Sequence, residues 1–349
     1  MKKIIILLLL LIPLNVNAVE INATSAILMD QDSKRILYSK DIHNIRSVAS
    51  ISKIMTAIVA IENGNLNKKI IVGDEIKNAY GSGIYIKEKE KLTLEDLLYG
   101  LMLRSGNDAA LVIADNVGKT VPKFVDKMNL KAKEIGMKNS TFNNPSGLDE
   151  EKGNFSTAYD MALLMSYAMK NDEFKKIVGT RKYNLKTNKN TYVWYNKNKL
   201  LKSYQYTTGG KTGYTKKARR TLVSSATKNN FNLTVVTLND GNDFKDHQNL
   251  YDYGFENYEK VLILKKGNIN IKNEKIYKNK KIFIKRDIYY PLTENEKNNL
   301  LIDYKLDKKR KIKNNSKIGQ AIIKIGDKEI DRVNLYISKK SIKGLKNDK

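Results

Sequence analysis

The sequence predicts an α+β fold: an antiparallel sheet assembled from both ends of a large first domain and covered by helices, then a small β-rich domain. Three observations carry this. A hairpin pattern near the start is followed by a run of helical patterns. A second hairpin pattern comes only around residue 230. Past residue 258 the texture changes to short alternating apolar segments separated by Lys, Asn, Asp and Gly. Hairpins at both ends with helices between them close most simply as one sheet with helices packed on it.

The elements follow in order. Segments 24–29 and 35–38 read as strands joined by the turn Asp30-Gln31-Asp32-Ser33. Residues 51–61 carry apolar side chains at helical spacing, at Ile51, Ile54, Met55, Ile58 and Ile61, and stop at Asn63-Gly64. A helix over 93–104 begins with Thr93 and, three residues on, Asp96, which is capping chemistry. Further helices are expected over 108–117, 121–135 and 157–169, and 191–195 reads as extended. Segments 221–227 and 231–238 are apolar and β-branched around Lys228-Asn229-Asn230, the late hairpin; 246–258 reads as a closing helix. In the last part the strand signals are Ile282-Phe283-Ile284, Ile288-Tyr289-Tyr290 and 321–325. The expected division is residues 1–18 as a leader, 19–258 as the main domain and 259–349 as the small basic domain with a short basic tail.

Composition narrows the chemistry. With 349 residues and 41% hydrophobic content the chain can bury a core, which argues against global disorder. It has no cysteine, so disulfides, thiolate metal sites and cysteine nucleophiles are all excluded. Only His43 and His247 are present, so an imidazole-built zinc site is excluded in practice, and no metal or cofactor is expected. A hydrolase in this chain needs a base other than histidine, and lysine is the obvious candidate.

The net charge is +27, and from Lys260 onward 26 Lys/Arg stand against 10 Asp/Glu. Lysine is abundant everywhere, so this is first a matter of overall composition. Its functional reading is attraction to an anionic surface, lipid headgroups or wall polymer. No nucleic-acid module is recognisable, and nucleic acid is not expected as a partner.

At the start, Lys2 and Lys3 precede an apolar run from Ile4 to Leu14, then Val16-Asn17-Ala18. A charged start, a short apolar core and a small-residue end make a signal peptide cut after Ala18. The run is too short for an ordinary membrane span. The protein is therefore expected to be exported and extracytoplasmic, at the wall or the outer face of the cytoplasmic membrane.

Three short motifs carry chemistry. In Ser50-Ile51-Ser52-Lys53 the serine and lysine are three apart, so on a helix the Lys53 amine reaches the Ser50 hydroxyl. A serine needs a base to take its proton, and lysine serves if burial and neighbouring cations lower its pKa. The same spacing recurs at Ser225 and Lys228, but on an expected strand, where residues three apart face opposite ways. Ser105-Gly106-Asn107 follows a helix; the serine can shuttle a proton and the amide can hold a substrate peptide group, although capping is the ordinary reading of such a tripeptide. Lys211-Thr212-Gly213 offers a charge, a hydroxyl for a carboxylate, and a glycine that admits a ligand backbone.

Each motif alone is common. Their order is that of penicillin-binding proteins and class A β-lactamases. The flanks narrow the resemblance: 47–57, 81–110 ending LLYGLMLRSGNDAA, 144–164 (NPSGLD…FSTAYDMALL), 196–201 (NKNKLL), 210–215 (GKTGYT), and Asp246-His247 with Asp252-Tyr253-Gly254-Phe255. From about Thr24 to Tyr258 the chain resembles the serine D-alanyl-D-alanine carboxypeptidases, the low-molecular-mass penicillin-binding proteins. Its end loosely resembles the β domain often appended to them. The resemblance implies a serine β-lactamase-like fold and hydrolysis of the terminal D-Ala-D-Ala bond of peptidoglycan pentapeptide stems. It also implies covalent binding of β-lactam antibiotics. Ser50 would be the acylated nucleophile, Lys53 its base and Ser105 the third catalytic residue. Asn107, Lys211, Thr212 and Gly213 would line the substrate cleft, and the backbone N–H groups of Ser50 and Tyr214 would form the oxyanion hole.

There are departures. Val48 stands where many relatives have proline, Asn154 where histidine or glutamine is common, and Arg219 where glycine is frequent. The arginine that some relatives use for the terminal carboxylate has no match near 243–247, which shifts that task to Lys211 and Thr212. The alternatives are a β-lactamase, for which Glu150 and Glu151 would have to supply deacylation, and a non-catalytic peptidoglycan-binding protein, which the complete set of motifs argues against. A transpeptidase would use the same residues.

Overall fold

The computed structural model describes residues 19–149, 152–271, 277, 280–307 and 313–338. Residues 1–18, expected to be a leader, Glu150, Glu151 and the tail past Ser338 lie outside the described residues.

Five strands form the main sheet: β1 Ser25–Asp30, β2 Ile36–Lys40, β3 Thr207–Thr215, β4 Arg219–Lys228 and β5 Phe231–Leu238. Their spatial order is β2-β1-β5-β4-β3, with every neighbour antiparallel. The sheet is thus assembled from both ends of the domain, with Leu28 of β1 directly opposite Val235 of β5. Both of its faces are covered. Ile27 and Met29 join the core built on helices α1 Lys53–Asn63 and α5 Ala158–Ala168, while Ala26 and Leu28 point the other way, to the late helix α7 Asp243–Asn257. A strand buried on both faces needs no polar alternation, and β1 is buried throughout.

Between the hairpins lie α2 Leu94–Tyr99, α3 Asn107–Gly118, α4 Val121–Ile135 and α6 Asp172–Gly179. Thr93 and Asp96 form the expected capping box. Three expected helices differ at their ends: the closing helix begins at Asp243 instead of Asp246, and the other two differ at motifs. The helix expected from Ile51 starts at Lys53, and Ala49–Ser52 is a 3₁₀ turn. The helix expected to reach Arg104 leaves α geometry at Gly100: Gly100–Arg104 is a wider π-type turn that ends on Ser105 in the left-handed conformation, at φ 66°. Such turns re-aim the residue that follows them. Helix α6 and the strand Lys182–Lys186, which pairs with Thr191–Tyr195, have no counterpart in the sequence reading. Helix α1 is buried on all sides from Lys53 to Ala60, so Lys53 stands inside the core rather than on a surface.

Past α7 come β6 Glu259–Leu264, β7 Gly267–Ile269, β8 Lys281–Ile284, β9 Ile288–Leu292, β10 Leu300–Leu306, β11 Lys317–Ile325 and β12 Lys328–Ser338. β6 pairs with β9, and the others form an antiparallel sheet in the order β7-β8-β12-β11-β10 over a core that includes Ile284, Ile318, Ile323 and Leu335. Arg35, in the early hairpin, ties this part to the first: it donates to Pro291 O and to the Glu296 carboxylate, both at 2.5 Å, and its guanidinium lies 5.2 Å from the rings of Tyr258 and Tyr290. Among the described residues, no helix is long and apolar enough to cross a membrane.

Candidate active site

The turn that carries Ser50 is clamped from several sides. Ala49 adopts φ 51°, unusual for a residue with a Cβ. The Val48 N–H donates to Asn154 O (3.3 Å), and Thr221 Oγ1 donates to Val48 O (3.1 Å). Ser47 and Thr215 both donate to the Asp149 carboxylate, which joins the turn to β3. Two glycines allow the closest approaches. At Gly147, φ +80°, a Cβ would lie 2.2 Å from Ala49 O. At Gly213 a Cβ would lie 2.5 Å from Thr221 Oγ1 and 3.0 Å from the Ser50 nitrogen. The backbone that Gly213 admits is therefore first that of Ser50 itself, a different role from the ligand approach expected of it.

Lys53 is fully buried. Its Nζ lies 3.1 Å from Ser50 Oγ and 2.7 Å from Asn107 Oδ1, and it also donates to Ser146 O. Burial, and then the Lys197 cation, pushes its pKa down to about 7, with Asp108 pulling the other way. A neutral amine has two N–H donors and one lone pair. As a neutral amine it would donate to Asn107 Oδ1 and Ser146 O and turn its lone pair to the Ser50 hydroxyl; as an ammonium it donates to all three. Asn107 presents its oxygen to Lys53 because its Nδ2 is spent on Tyr80 O (2.6 Å). The Asn107 N–H donates to Ser82 O (2.7 Å).

Lys211 is also buried, and its Nζ donates to Thr212 O at 2.6 Å. Burial, then Lys53, then Lys197, holds it well below the usual lysine range. A cleft of about 410 Å³ brings together Ser50, Ser105, Thr212, Gly213 and Tyr214, with Ser82, Lys197, Lys199, Arg220, Asp243 and Phe244 completing its walls. The sequence-predicted site residues thus gather here: Ser50, Ser105, Thr212, Gly213 and Tyr214 on the wall, Lys53 and Asn107 behind the serine, and Lys211 buried on β3 beside Thr212.

Sequence reasoning missed three groups. Lys197 lies in the stretch 196–201 already singled out, but nothing in the pattern showed that its charge acts on two other lysines. Asp149 lies in the stretch 144–164, also singled out, but was given no role. Arg220 was hidden beside Arg219; it donates to Asp243 at 2.5 Å, keeps 46% of its side chain exposed, and sits 5.6 Å from the Phe244 ring. Arg219 itself adopts φ 59°, the left-handed conformation in which glycine is unstrained. The competing candidates lie elsewhere. Ser225 bonds Thr208 Oγ1 at 2.7 Å, while Lys228 lies over the ring of Tyr206. His247 is buried between β4 and α7, bonded to Ser224 Oγ at 2.6 Å and pushed down to about 3 by burial. His43 is exposed beside Tyr159.

Residues 13–242 match the model of the family described as D-alanyl-D-alanine carboxypeptidase. The chain belongs to that family. Residues 258–343 match a second model, the C-terminal domain of penicillin-binding protein 5. The D-alanyl-D-alanine carboxypeptidase DacF of Bacillus subtilis is 34% identical over 282 residues, covering 78% of this chain and 72% of that protein. A D-alanyl-D-alanine carboxypeptidase of Streptomyces sp. strain K15 is 35% identical over 228 residues, 60% of this chain and 77% of its own. The crystal structure of the D-alanyl-D-alanine carboxypeptidase DacD from Francisella tularensis superposes with a TM-score of 0.73 at 26% identity, over 97% of this chain and 96% of that one. The fold is the one the motifs implied, and the chain is a low-molecular-mass penicillin-binding protein with serine D-alanyl-D-alanine carboxypeptidase activity. Covalent β-lactam binding is typical of the family.

Proposed function

We propose that Ser50, Lys53 and Ser105 cleave the terminal D-Ala-D-Ala bond of peptidoglycan pentapeptide stems through an acyl-enzyme on Ser50. Neutral Lys53 takes the Ser50 proton as Oγ attacks the penultimate carbonyl carbon. The N–H groups of Ser50 and Tyr214 hold the developing oxyanion. The C–N bond breaks, Ser105 passes the proton to the leaving amine, and D-alanine departs. Water then cleaves the ester, returning Ser50 and releasing the shortened stem, which has lost the D-Ala-D-Ala bond that cross-linking uses. A β-lactam acylates the same oxygen. The observation that carries this reading is the fully buried Lys53 amine 3.1 Å from Ser50 Oγ, with its pKa pushed down to about 7 by burial.

Asn107, expected to hold the substrate backbone, has its amide engaged by Lys53 and by Tyr80 O, so its part here is to position Lys53. Thr212 and Arg220 hold the substrate's terminal carboxylate. Arg220 suits that task better than Lys211 because arginine stays charged, whereas Lys211 is buried within β3 with a depressed pKa. Among the described residues lining the cleft, the only carboxylate is Asp243, already paired with Arg220. Glu150 and Glu151, the residues that a class A type of deacylation would use, lie outside the described residues.

The leader-like start, Lys2-Lys3 and the apolar run to Leu14, supports export to the extracytoplasmic face. The basic part from Lys260 supports contact with anionic membrane or wall polymer. We place the domain boundary between Tyr258 and Glu259, where α7 has ended and β6 begins. The test is mass spectrometry of a purified pentapeptide muropeptide incubated with the protein. Loss of one alanine supports the reading; transfer to a second stem, or no reaction, contradicts it.

A further inference from the structure

The hairpin of Lys182–Lys186 and Thr191–Tyr195 has no part in the chemistry above, and its two faces differ. Successive strand residues point to opposite faces. One face carries Tyr183, Leu185, Tyr192 and Trp194, which pack on the helical core. Tyr183 stacks on Tyr99 with ring centroids 3.8 Å apart and donates to Asp96 at 2.6 Å, and Tyr192 donates to Glu90 at 3.1 Å. That face anchors the hairpin. The other carries Lys182, Asn184 and Lys186 opposite Tyr195, Val193 and Thr191, and all six are exposed. Tyr195 and Val193 are 52% and 50% exposed, and Lys182 Nζ lies 5.6 Å from the Tyr195 ring centroid.

Position ties this outer face to the cleft. Just past Tyr195 the chain reaches Lys197 and then Lys199, both on the cleft wall. From Thr191 to Lys197 an extended chain covers about 20 Å, so the lysines form a strip that starts at the cleft and runs outward to Lys186. Among the described residues, none of Lys182, Lys186, Lys197 and Lys199 pairs with a carboxylate, whereas Lys175 and Lys176 of α6 pair with Asp172, Glu95 and Glu173. A row of unpaired cations around exposed apolar groups suits a polyanion that has apolar faces of its own. The stems that the cleft accepts end in carboxylates and hang from a glycan strand, so a strand bearing several uncleaved stems is such a polymer. We propose that the outer face of this hairpin is an exosite for the polymeric substrate. While one stem occupies the cleft, carboxylates of neighbouring stems meet Lys182 and Lys186, and the C–H face of a sugar ring lies on Tyr195 and Val193. This rests on the cleft reading above and adds to it a preference for the strand over the isolated stem.

The test compares kcat/KM per stem of the full chain on soluble, uncross-linked peptidoglycan strands with pentapeptide stems and on a single pentapeptide muropeptide. The wild type should favour the strand by about tenfold, the low end of what charge attraction adds to association, chiefly through KM. That preference should fall toward parity as salt rises from about 0.05 M to about 0.5 M, since the strip lies in water. The double variant Lys182→Glu, Lys186→Glu should bring it near parity at low salt while muropeptide turnover and penicillin acylation stay within about twofold of wild type. Lys182→Arg with Lys186→Arg should retain it, because the charge is what counts. Equal wild-type turnover of strand and muropeptide, a preference indifferent to salt, or one undiminished in the glutamate variant overturns the exosite. A wild type that cleaves the muropeptide without preferring the strand loses only the exosite. One that cleaves neither loses the cleft reading, and the exosite with it.

Discussion

The two parts of the chain bury different things. The first domain encloses Lys53, Lys211, His247 and Asn107 in its interior. In the second, the only buried polar side chain among the described residues is Ser338; its charges, such as the Lys324–Asp303 pair at 2.6 Å and the Arg332–Glu329 pair, stand in water. Exposed pairs of that kind contribute little stability. A buried lysine costs stability and persists where the neutral amine has a use. The comparison teaches that the first domain gives up stability for chemistry and that the second is built for folding and surface charge.

The largest expected effect falls on the first domain alone. Lys53→Arg keeps a cation that cannot give up its proton, so the folded protein should lose penicillin acylation by about 10³-fold or more, measured with a fluorescent penicillin. A near-wild-type rate would remove Lys53 as the base. Next is Leu335→Ala in the second core, expected to lower stability by about 2–4 kcal/mol in a denaturant melt while the acylation rate is retained. A matching loss of acylation would show that the domains do not divide the work.

Lys53→Met sharpens the contrast. The folded pKa of about 7 lies below the ordinary 10.5, so the unfolded chain binds the extra proton between those values. Wild-type stability therefore rises with pH through that window, and below about pH 7 the full penalty of burial applies. The methionine variant should be inactive yet more stable at neutral pH by about 1–3 kcal/mol, after the loss of the Asn107 and Ser146 partners is counted. Its advantage should shrink toward pH 10. A variant less stable than wild type at pH 7 contradicts this. The smallest effect is that of Arg219→Gly, which should be neutral or stabilise by up to about 1 kcal/mol by relieving a left-handed arginine; a clear destabilisation would mean that the Arg219 side chain has work of its own.

What was legible in the sequence follows a physical line. Hairpins and amphipathic helices announce themselves by period, so β1, β2, β4, β5 and α4 were readable close to their true limits. Motif order made Ser50, Lys53, Asn107 and Lys211 readable as a set. The 3₁₀ turn at Ala49–Ser52 and the π-type turn before Ser105 were not; the first is held by residues distant in sequence, Gly147, Asp149 and Thr221, which leave no local pattern. Helix α6 was missed because its eight residues are too few to show a period. Arg220 and Lys197 were missed because their importance lies in which charges they meet, and pairing across 23 residues, as in Arg220 with Asp243, leaves no local pattern.

The most direct measurement of the central claim is the rate of penicillin acylation against pH, with the adduct located by peptide mass spectrometry. A single adduct should sit on Ser50, and the rate should climb about tenfold per pH unit in acid before levelling near pH 7, following the neutral fraction of Lys53. An adduct on any other residue, or a rate flat from acid through neutral pH, would contradict a Ser50 nucleophile activated by a neutral buried lysine.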